Sequence, residues 1–207
     1  MIALVDYGAG NLTSVRKALA HIGAEVWTPA APDELSRARA VIVPGVGHFD
    51  ATAALDAPWR TAIQDALDRG APLLGICVGL QWLFDGSEEA PATAGFGAIP
   101  GVCARLGERV AIDTGSRLKV PHVGWNCLSF PRPTRLFAGI AEGTQMYFTH
   151  SYAAPVVPAT AAITTYGTPF SAAVEDGLVS GVQFHPEKSG EAGLRVLRNW
   201  LGVVDAL

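Results

Sequence analysis

Charge, cysteine and long apolar runs are all scarce in this chain, and each scarcity excludes something. Charged residues make up 16% of the 207 residues, the formal net charge is -4, and no cluster of Lys or Arg occurs. Binding to a phosphate backbone leaves a clustered basic footprint, so no nucleic acid partner is expected. The three cysteines, Cys77, Cys103 and Cys127, are odd in number and widely spaced, which argues against a disulfide framework. No run approaches the ~18 apolar residues of a membrane helix, so no membrane partner is expected. The segment Met1-Ile2-Ala3-Leu4-Val5 meets Asp6 too soon for a signal-peptide core and has no basic region before it. A reducing, cytoplasmic location is the expectation that follows. No further Cys or His sits at ligand spacing, so no metal is expected. The turn Gly8-Ala9-Gly10 is not a G-x-G-x-x-G motif and no ribose-binding acid follows it, so no cofactor is expected.

What is present is apolar residue, 49% of the chain, enough to build a core and to exclude whole-chain disorder. The length suits one domain spanning 1–207. In the first half, strand-like and helix-like segments alternate. Ile2–Asp6 reads as a strand, and Asn11 reads as the cap of a helix through Ala20, with Leu12, Val15 and Leu19 on one face. Glu25–Thr28 and Ala40–Val43 read as strands. Pro58 opens a helix over Trp59–Asp68 with Gly70 beyond it, and Pro72–Ile76 is a strand running into a helix over Cys77–Phe84. Such alternation implies a parallel sheet covered on both faces. The second half reads as strands at Phe96–Leu106, Val110–Ile112, Val123–Phe130, Gln145–Ser151, Ala161–Tyr166, Ser171–Glu175 and Leu178–Phe184, then a helix over Ser189–Leu201. The fold class is α/β, a mainly parallel central sheet flanked by helices with an additional antiparallel portion in the second half.

Gly75-Ile76-Cys77-Val78-Gly79 sets a cysteine between glycines where a strand meets a helix, the layout of a nucleophile elbow with Cys in place of Ser. A sharp turn there projects the side chain outward, and the following helix start offers N–H groups that favour a thiolate. The Val78 amide would face an oxyanion on an attacked carbonyl. A free cysteine is as readily a small buried hydrophobe, and the pattern alone leaves both readings open. Near the end of the chain, His185-Pro186-Glu187 follows a strand end. Pro186 biases His185 toward an extended backbone, which points His185 and Glu187 to the same side. A base oriented by a carboxylate completes the logic of an activated nucleophile. A surface turn is the plainer alternative for that tripeptide.

The elbow at Cys77, with the His185-Pro186-Glu187 segment about a hundred residues later, resembles class I glutamine amidotransferases. Further segments resemble one branch of that class, the glutaminase subunits of imidazole glycerol phosphate synthases in histidine biosynthesis. They are Asp6 to Leu12, Pro44 to Phe49, Gly75 to Gln81 with Leu83-Phe84, Ser87 to Glu89, Lys119 to Asn126, Tyr147 to Tyr152, and Gln183 to Ser189. They run nearly the whole chain in order; Lys119–Asn126 and Tyr147–Tyr152 carry the branch. The resemblance implies Cys77, His185 and Glu187 as the catalytic triad. It implies a glutamine pocket formed by Gly45, Val46, Gly47, Val78, Gln81, His150, Ser151 and Tyr152, with the Pro44–Gly47 loop completing the oxyanion hole near Val46. It implies a docking face at or near Asn11, Trp125, Tyr147, His150 and Lys188 for a separate (β/α)8 cyclase subunit, the two chains forming a heterodimer. The ammonia released from glutamine would pass to that partner, and glutaminase activity would stay weak until docking.

The residues themselves carry plainer readings beside these. Asn11 is first a helix cap, Trp125 and Tyr147 are core or rim aromatics, His122 and His150 are half-buried histidines. Glu88 and Glu89 read as a solvated helix end, and Cys103 and Cys127 as inert residues of apolar strands. Val78 and Leu80 stand where Leu and Met are usual in the class, apolar exchanges behind the nucleophile. Three rival functions share the same residues: an amidotransferase subunit of another synthase, a stand-alone γ-glutamyl hydrolase, and a non-catalytic binding module.

Overall fold

The computed structural model describes residues 1–107 and 118–205, so the strand expected at Val110–Ile112 lies outside the described residues. In chain order the elements are β1 (Ile2–Leu4), α1 (Leu12–His21), β2 (Val26–Trp27), β3 (Ala40–Gly45), α2 (Ala57–Asp68), β4 (Leu73–Cys77), α3 (Val78–Trp82), β5 (Gly86–Ser87) and β6 (Val102–Arg105). They continue with β7 (His122–Cys127), β8 (Gln145–His150), β9 (Tyr152–Ala153), β10 (Thr160–Tyr166), β11 (Thr168–Asp176), β12 (Val179–Val182) and α4 (Gly190–Asp205). Short 3-10 turns lie at Pro32–Arg37, Phe49–Ala54 and Pro186–Lys188.

The main sheet has the order β10-β11-β12-β4-β3-β1-β2. From β12 to β2 neighbouring strands are parallel, and β10 and β11 add an antiparallel edge. Every residue of β1, β3 and β4 is buried. Strands with no solvated side must be covered on both faces, and their sequences are accordingly continuous apolar runs rather than alternating ones. α1 begins where expected, the Asn11 side chain accepting from the Ser14 amide at 3.2 Å. α2 begins one residue earlier than its Pro58 suggests, because Asp56 caps it by accepting from the Trp59 amide.

Two smaller units stand apart from the main sheet. β7 and β8 form an antiparallel ribbon in the register His122↔His150, Trp125↔Tyr147 and Cys127↔Gln145. β5, β6 and β9 form a three-stranded sheet. The long strand expected over Phe96–Leu106 is only Val102–Arg105. Gly97 and Gly101 hold left-handed φ values of 75° and 127°, which breaks an extended run. The amides of Gly97, Ile99 and Gly101 turn back instead onto Phe84, Leu83 and the Asp85 carboxylate. α4 buries Val196, Leu197, Trp200 and Val204 on one face, while Leu194 and Leu201 are only partly buried. Among the described residues no helix is long and apolar enough to cross a membrane.

Candidate active site

The parallel strands β3, β4 and β12 end side by side, Gly45 opposite Cys77 and Val182 opposite Ile76. Ligands in open parallel sheets bind beyond such carboxyl ends. Cys77 is the last residue of β4 and the cap of α3, with φ 56° and ψ -107°. Cys77 carries a side chain at left-handed φ, a conformation costing on the order of 1–3 kcal/mol and retained only where the surroundings enforce it. The glycines around it do the enforcing. A Cβ on Gly79 would lie 1.9 Å from the Val43 carbonyl oxygen, and one on Gly75 would lie 2.4 Å from the Gly79 carbonyl oxygen. A Cβ on Gly45 would meet the Tyr7 hydroxyl at 2.4 Å and the Val78 side chain at 2.7 Å. The helix therefore seats against bare backbone on β3 and β4, and the strand must turn sharply at Cys77 to enter it. α3 itself is short, ending at Trp82 rather than Phe84.

Cys77 is nearly buried and reaches a cleft of about 250 Å³ lined by Val46, Gly47, Val78, Gln81 and the Thr149–Tyr152 segment, among others. Of the residues expected in the glutamine pocket, all but Gly45 line this cleft; Gly45 is buried beneath it. His185 and Glu187 are behind Cys77 rather than on the cleft wall, each with 1% of its side chain exposed. The His185 Nδ1 and Glu187 Oε1 atoms are 2.9 Å apart. His185 is extended as expected, but Glu187 lies in the 3-10 turn Pro186–Lys188, not in continuing strand. The carboxylate reaches the ring because the turn folds it back, a correction to the route though not to the pairing. Burial works against a charged imidazole. The Cys77 sulfur and the Glu187 carboxylate together more than offset that, raising His185 to about 9. Nε2, the atom left for chemistry, has no nitrogen or oxygen partner among the described residues. The ring is thus a protonated group beside the Cys77 sulfur at neutral pH, able to favour a thiolate there and to release a proton toward a leaving group.

Glu89 is not a solvated helix end. It follows β5, lines the cleft, and its Oε2 accepts from the Phe49 amide at 2.8 Å. Glu88 likewise accepts from the Arg105 amide. Sequence reading missed them because the fixing partners are backbone amides far along the chain, which no spacing reveals. Gln81 is buried, its amide nitrogen 2.8 Å from the Tyr152 carbonyl and 3.2 Å from Gln183 Oε1. A nitrogen with both hydrogens so engaged leaves Gln81 Oε1 as the group for a ligand, and that oxygen only accepts.

The ribbon separates its residues by face. Val123, Trp125 and Cys127 point outward and exposed, while His122 is buried. Trp125 is 53% exposed and packs edge-on against Tyr147 with ring centroids 6.0 Å apart. The Lys188 ammonium sits 5.8 Å over the Tyr147 ring. Trp125, Tyr147 and Lys188, all expected at a docking face, form one exposed aromatic and cationic patch; Asn11, also expected there, is exposed too and caps α1. Cys127 is exposed on that same outer face rather than buried, whereas Cys103 is buried, which pushes its thiol up. His122 and His150 are both buried, not half-buried.

Among the described residues no cluster of side chains could hold a metal ion. A cysteine on a strand-to-helix turn beside a buried His–Glu pair, at the end of a parallel sheet, fits a class I glutamine amidotransferase, and the family model for glutamine amidotransferase class-I matches residues 3–203. Solved structures agree on the fold. A crystal structure of glutamine amidotransferase superposes with a TM-score of 0.74 at 18% identity, covering 99% of this chain and 100% of that one. PurLQS from Thermotoga maritima gives 0.71 at 19%, covering 97% of each. At sequence level the imidazole glycerol phosphate synthase subunit HisH of Moorella thermoacetica is 47% identical, over 96% of this chain and 93% of its own. That of Methanothermobacter thermautotrophicus is 44% identical over the full length of both. The chain belongs to the HisH family of imidazole glycerol phosphate synthase subunits.

Proposed function

We propose that this chain, as one domain over 1–207, hydrolyses glutamine to glutamate and ammonia and passes the ammonia to a (β/α)8 cyclase subunit. That partner, docked as a heterodimer, uses it to make imidazole glycerol phosphate and an aminoimidazole carboxamide ribotide. The observation that carries the reading is the Cys77–His185–Glu187 arrangement opening on a cleft of small-ligand size. The Cys77 thiolate adds to the amide carbon of glutamine, and the Val46 and Val78 amides hold the oxyanion. His185 gives its proton to the departing ammonia, leaving a γ-glutamyl thioester. Water, deprotonated by the now neutral ring, adds to the thioester, and the thiolate leaves as glutamate forms. Glu187 holds the ring with Nδ1–H toward itself and Nε2 toward the sulfur, and offsets the imidazolium charge. The exposed Trp125–Tyr147–Lys188 patch suits docking, since aromatic and cationic anchors dominate interface energetics.

Mixing the chain with a cyclase subunit and supplying glutamine should give product at rates that free ammonia alone reaches only at high concentration. Product formation that depends on ammonia but never on glutamine would overturn the reading. Glutamate release measured with and without the cyclase also separates this function from a stand-alone hydrolase, which would show equal turnover in both.

Glu89 and Gln81 Oε1 offer two acceptors facing the cleft, a match for the α-ammonium of glutamine. Glu89→Gln should raise KM for glutamine by roughly 10- to 100-fold, the value of one charge-assisted hydrogen bond, with a smaller change in kcat. Steady-state glutamate release reads this out, and an unchanged KM would remove Glu89 from substrate recognition.

A further inference from the structure

Gln183 follows β12, is fully buried next to the nucleophile, and has no part in the chemistry above. A glutamine carboxamide can turn either way about its terminal bond, and only its hydrogen-bond partners decide which. Here the choice is forced. The Tyr152 carbonyl oxygen can only accept, so the Gln81 atom 2.8 Å from it is the NH2 group. That NH2 gives its other hydrogen to Gln183, 3.2 Å away, so the Gln183 atom there is its oxygen. The Gln183 NH2 then faces Cys77, its nitrogen 3.7 Å from Sγ.

The Tyr152 carbonyl is held from the far side too. His150 Nδ1 lies 2.9 Å from it and must carry a hydrogen. Burial above all, with His122 beside it, lowers His150 to about 3, so its ring is neutral and Nε2 is a bare acceptor. His122 Nδ1, 3.1 Å from that atom, is therefore the donor. Burial lowers His122 to about 4, and its own bare Nε2 faces the Asn126 NH2 at 3.4 Å. Asn126 is fixed in turn, its oxygen accepting from the Cys127 amide at 2.8 Å. Every hydrogen in this row has one possible place.

We propose that the Gln183 carboxamide is a catalytic donor to the Cys77 sulfur, held in one orientation by the row Asn126–His122–His150–Tyr152–Gln81. The proposal rests on the reading of Cys77 as nucleophile. A donor aimed at sulfur is worth more to a thiolate than to a thiol, because hydrogen bonds to an ionised acceptor are the stronger kind. The other groups facing the sulfur divide by sign. His185 favours the anion. Glu187 behind it, Glu89 across the cleft and the Thr149 carbonyl at 3.9 Å do not, and the buried Tyr7 phenol and His150 are neutral. His185 has the larger electrostatic effect but surrenders its proton to ammonia. Gln183 has no proton to surrender, so the sulfur keeps one donor through acylation and when the thiolate departs from the second tetrahedral adduct.

The test follows alkylation of Cys77 by iodoacetamide against pH in the full chain, with mass spectrometry scoring Cys77 separately from Cys103 and Cys127. Gln183→Met keeps length and loses the donor. Its alkylation midpoint should rise by about half a pH unit or more, with the limiting rate at high pH within about twofold of wild type. Gln183→Glu puts a carboxylate in the same place and should raise the midpoint further. In the unaltered chain, the side-chain amide resonance of Gln183 should titrate with the same midpoint as Cys77 alkylation, a measurement independent of any variant's folding. Unshifted midpoints, or a Gln183 resonance indifferent to that titration, would overturn the proposal. Shifted midpoints in a chain that feeds no ammonia to a cyclase would overturn the glutaminase reading and leave the Gln183–sulfur bond standing.

Discussion

Cys77→Ala is expected to abolish glutamine-dependent synthesis in the complex with a cyclase while leaving ammonia-dependent synthesis near its original rate. Among the described residues Cys77 is the one thiol lining the cleft, and an ordinary hydroxyl such as that of Ser151 is a far weaker nucleophile at neutral pH. Removing the nucleophile of a hydrolytic triad costs on the order of 10⁴- to 10⁶-fold in kcat. The fold should survive. Alanine keeps the same Cβ at φ 56°, so the strain is unchanged, and the loss is one buried sulfur atom, about 1 kcal/mol. Separate assays with glutamine and with ammonium chloride at saturating cyclase ligand read both arms. Glutamine use at more than about a hundredth of the wild-type rate would rule out Cys77 as nucleophile, since that exceeds any residual catalysis from binding alone. Loss of both arms would mean instead that docking or folding was damaged.

Gly79→Ala should be among the most destabilising single substitutions in the chain, against what helix propensity predicts. Glycine to alanine inside a helix ordinarily gains about 1 kcal/mol. At Gly79 the new methyl would lie 1.9 Å from the Val43 carbonyl oxygen and 2.9 Å from its carbon. Both atoms belong to the backbone of β3, pinned between β1 and β4, so neither can swing aside like a side chain. The steric term wins, and overpacking of this kind costs upwards of about 3 kcal/mol, a large share of a domain's stability. Gly202 in α4 has open space where its Cβ would go, so Gly202→Ala serves as control with a gain of up to about 1 kcal/mol. Urea midpoints for the two variants should move in opposite directions. A Gly79→Ala midpoint at or above wild type would show that α3 is not seated against β3.

Which parts of this molecule were legible in its sequence follows from how local their causes are. β1, β3 and β4 announce themselves as short apolar runs because burial on both faces removes any need for polar alternation. The Asn11 cap and the glycines around Cys77 are legible because a cap or a tight turn is decided within a few residues. The pairing of His185 with Glu187 was readable for the same reason, though the 3-10 turn that delivers it was not. Glu89 was misread because its partner, the Phe49 amide, lies far along the chain. The orientation of Gln183 depends on a carbonyl at Tyr152 and an amide at Gln81, brought together only by the fold. The Phe96–Leu106 strand failed because Asp85 and the carbonyls of Leu83 and Phe84 captured its amides.

Along β7, Trp125 faces outward and Asn126, next to it, holds His122; on β8, Tyr147 meets Trp125 while His150 faces the Tyr152 carbonyl. A slip by one residue would exchange the two faces wholesale, so the ribbon cannot absorb a load by sliding. One register therefore serves both sides: the pairing that sets Trp125 against Tyr147 outside also sets His122 against His150 inside, and neither can be lost without the other.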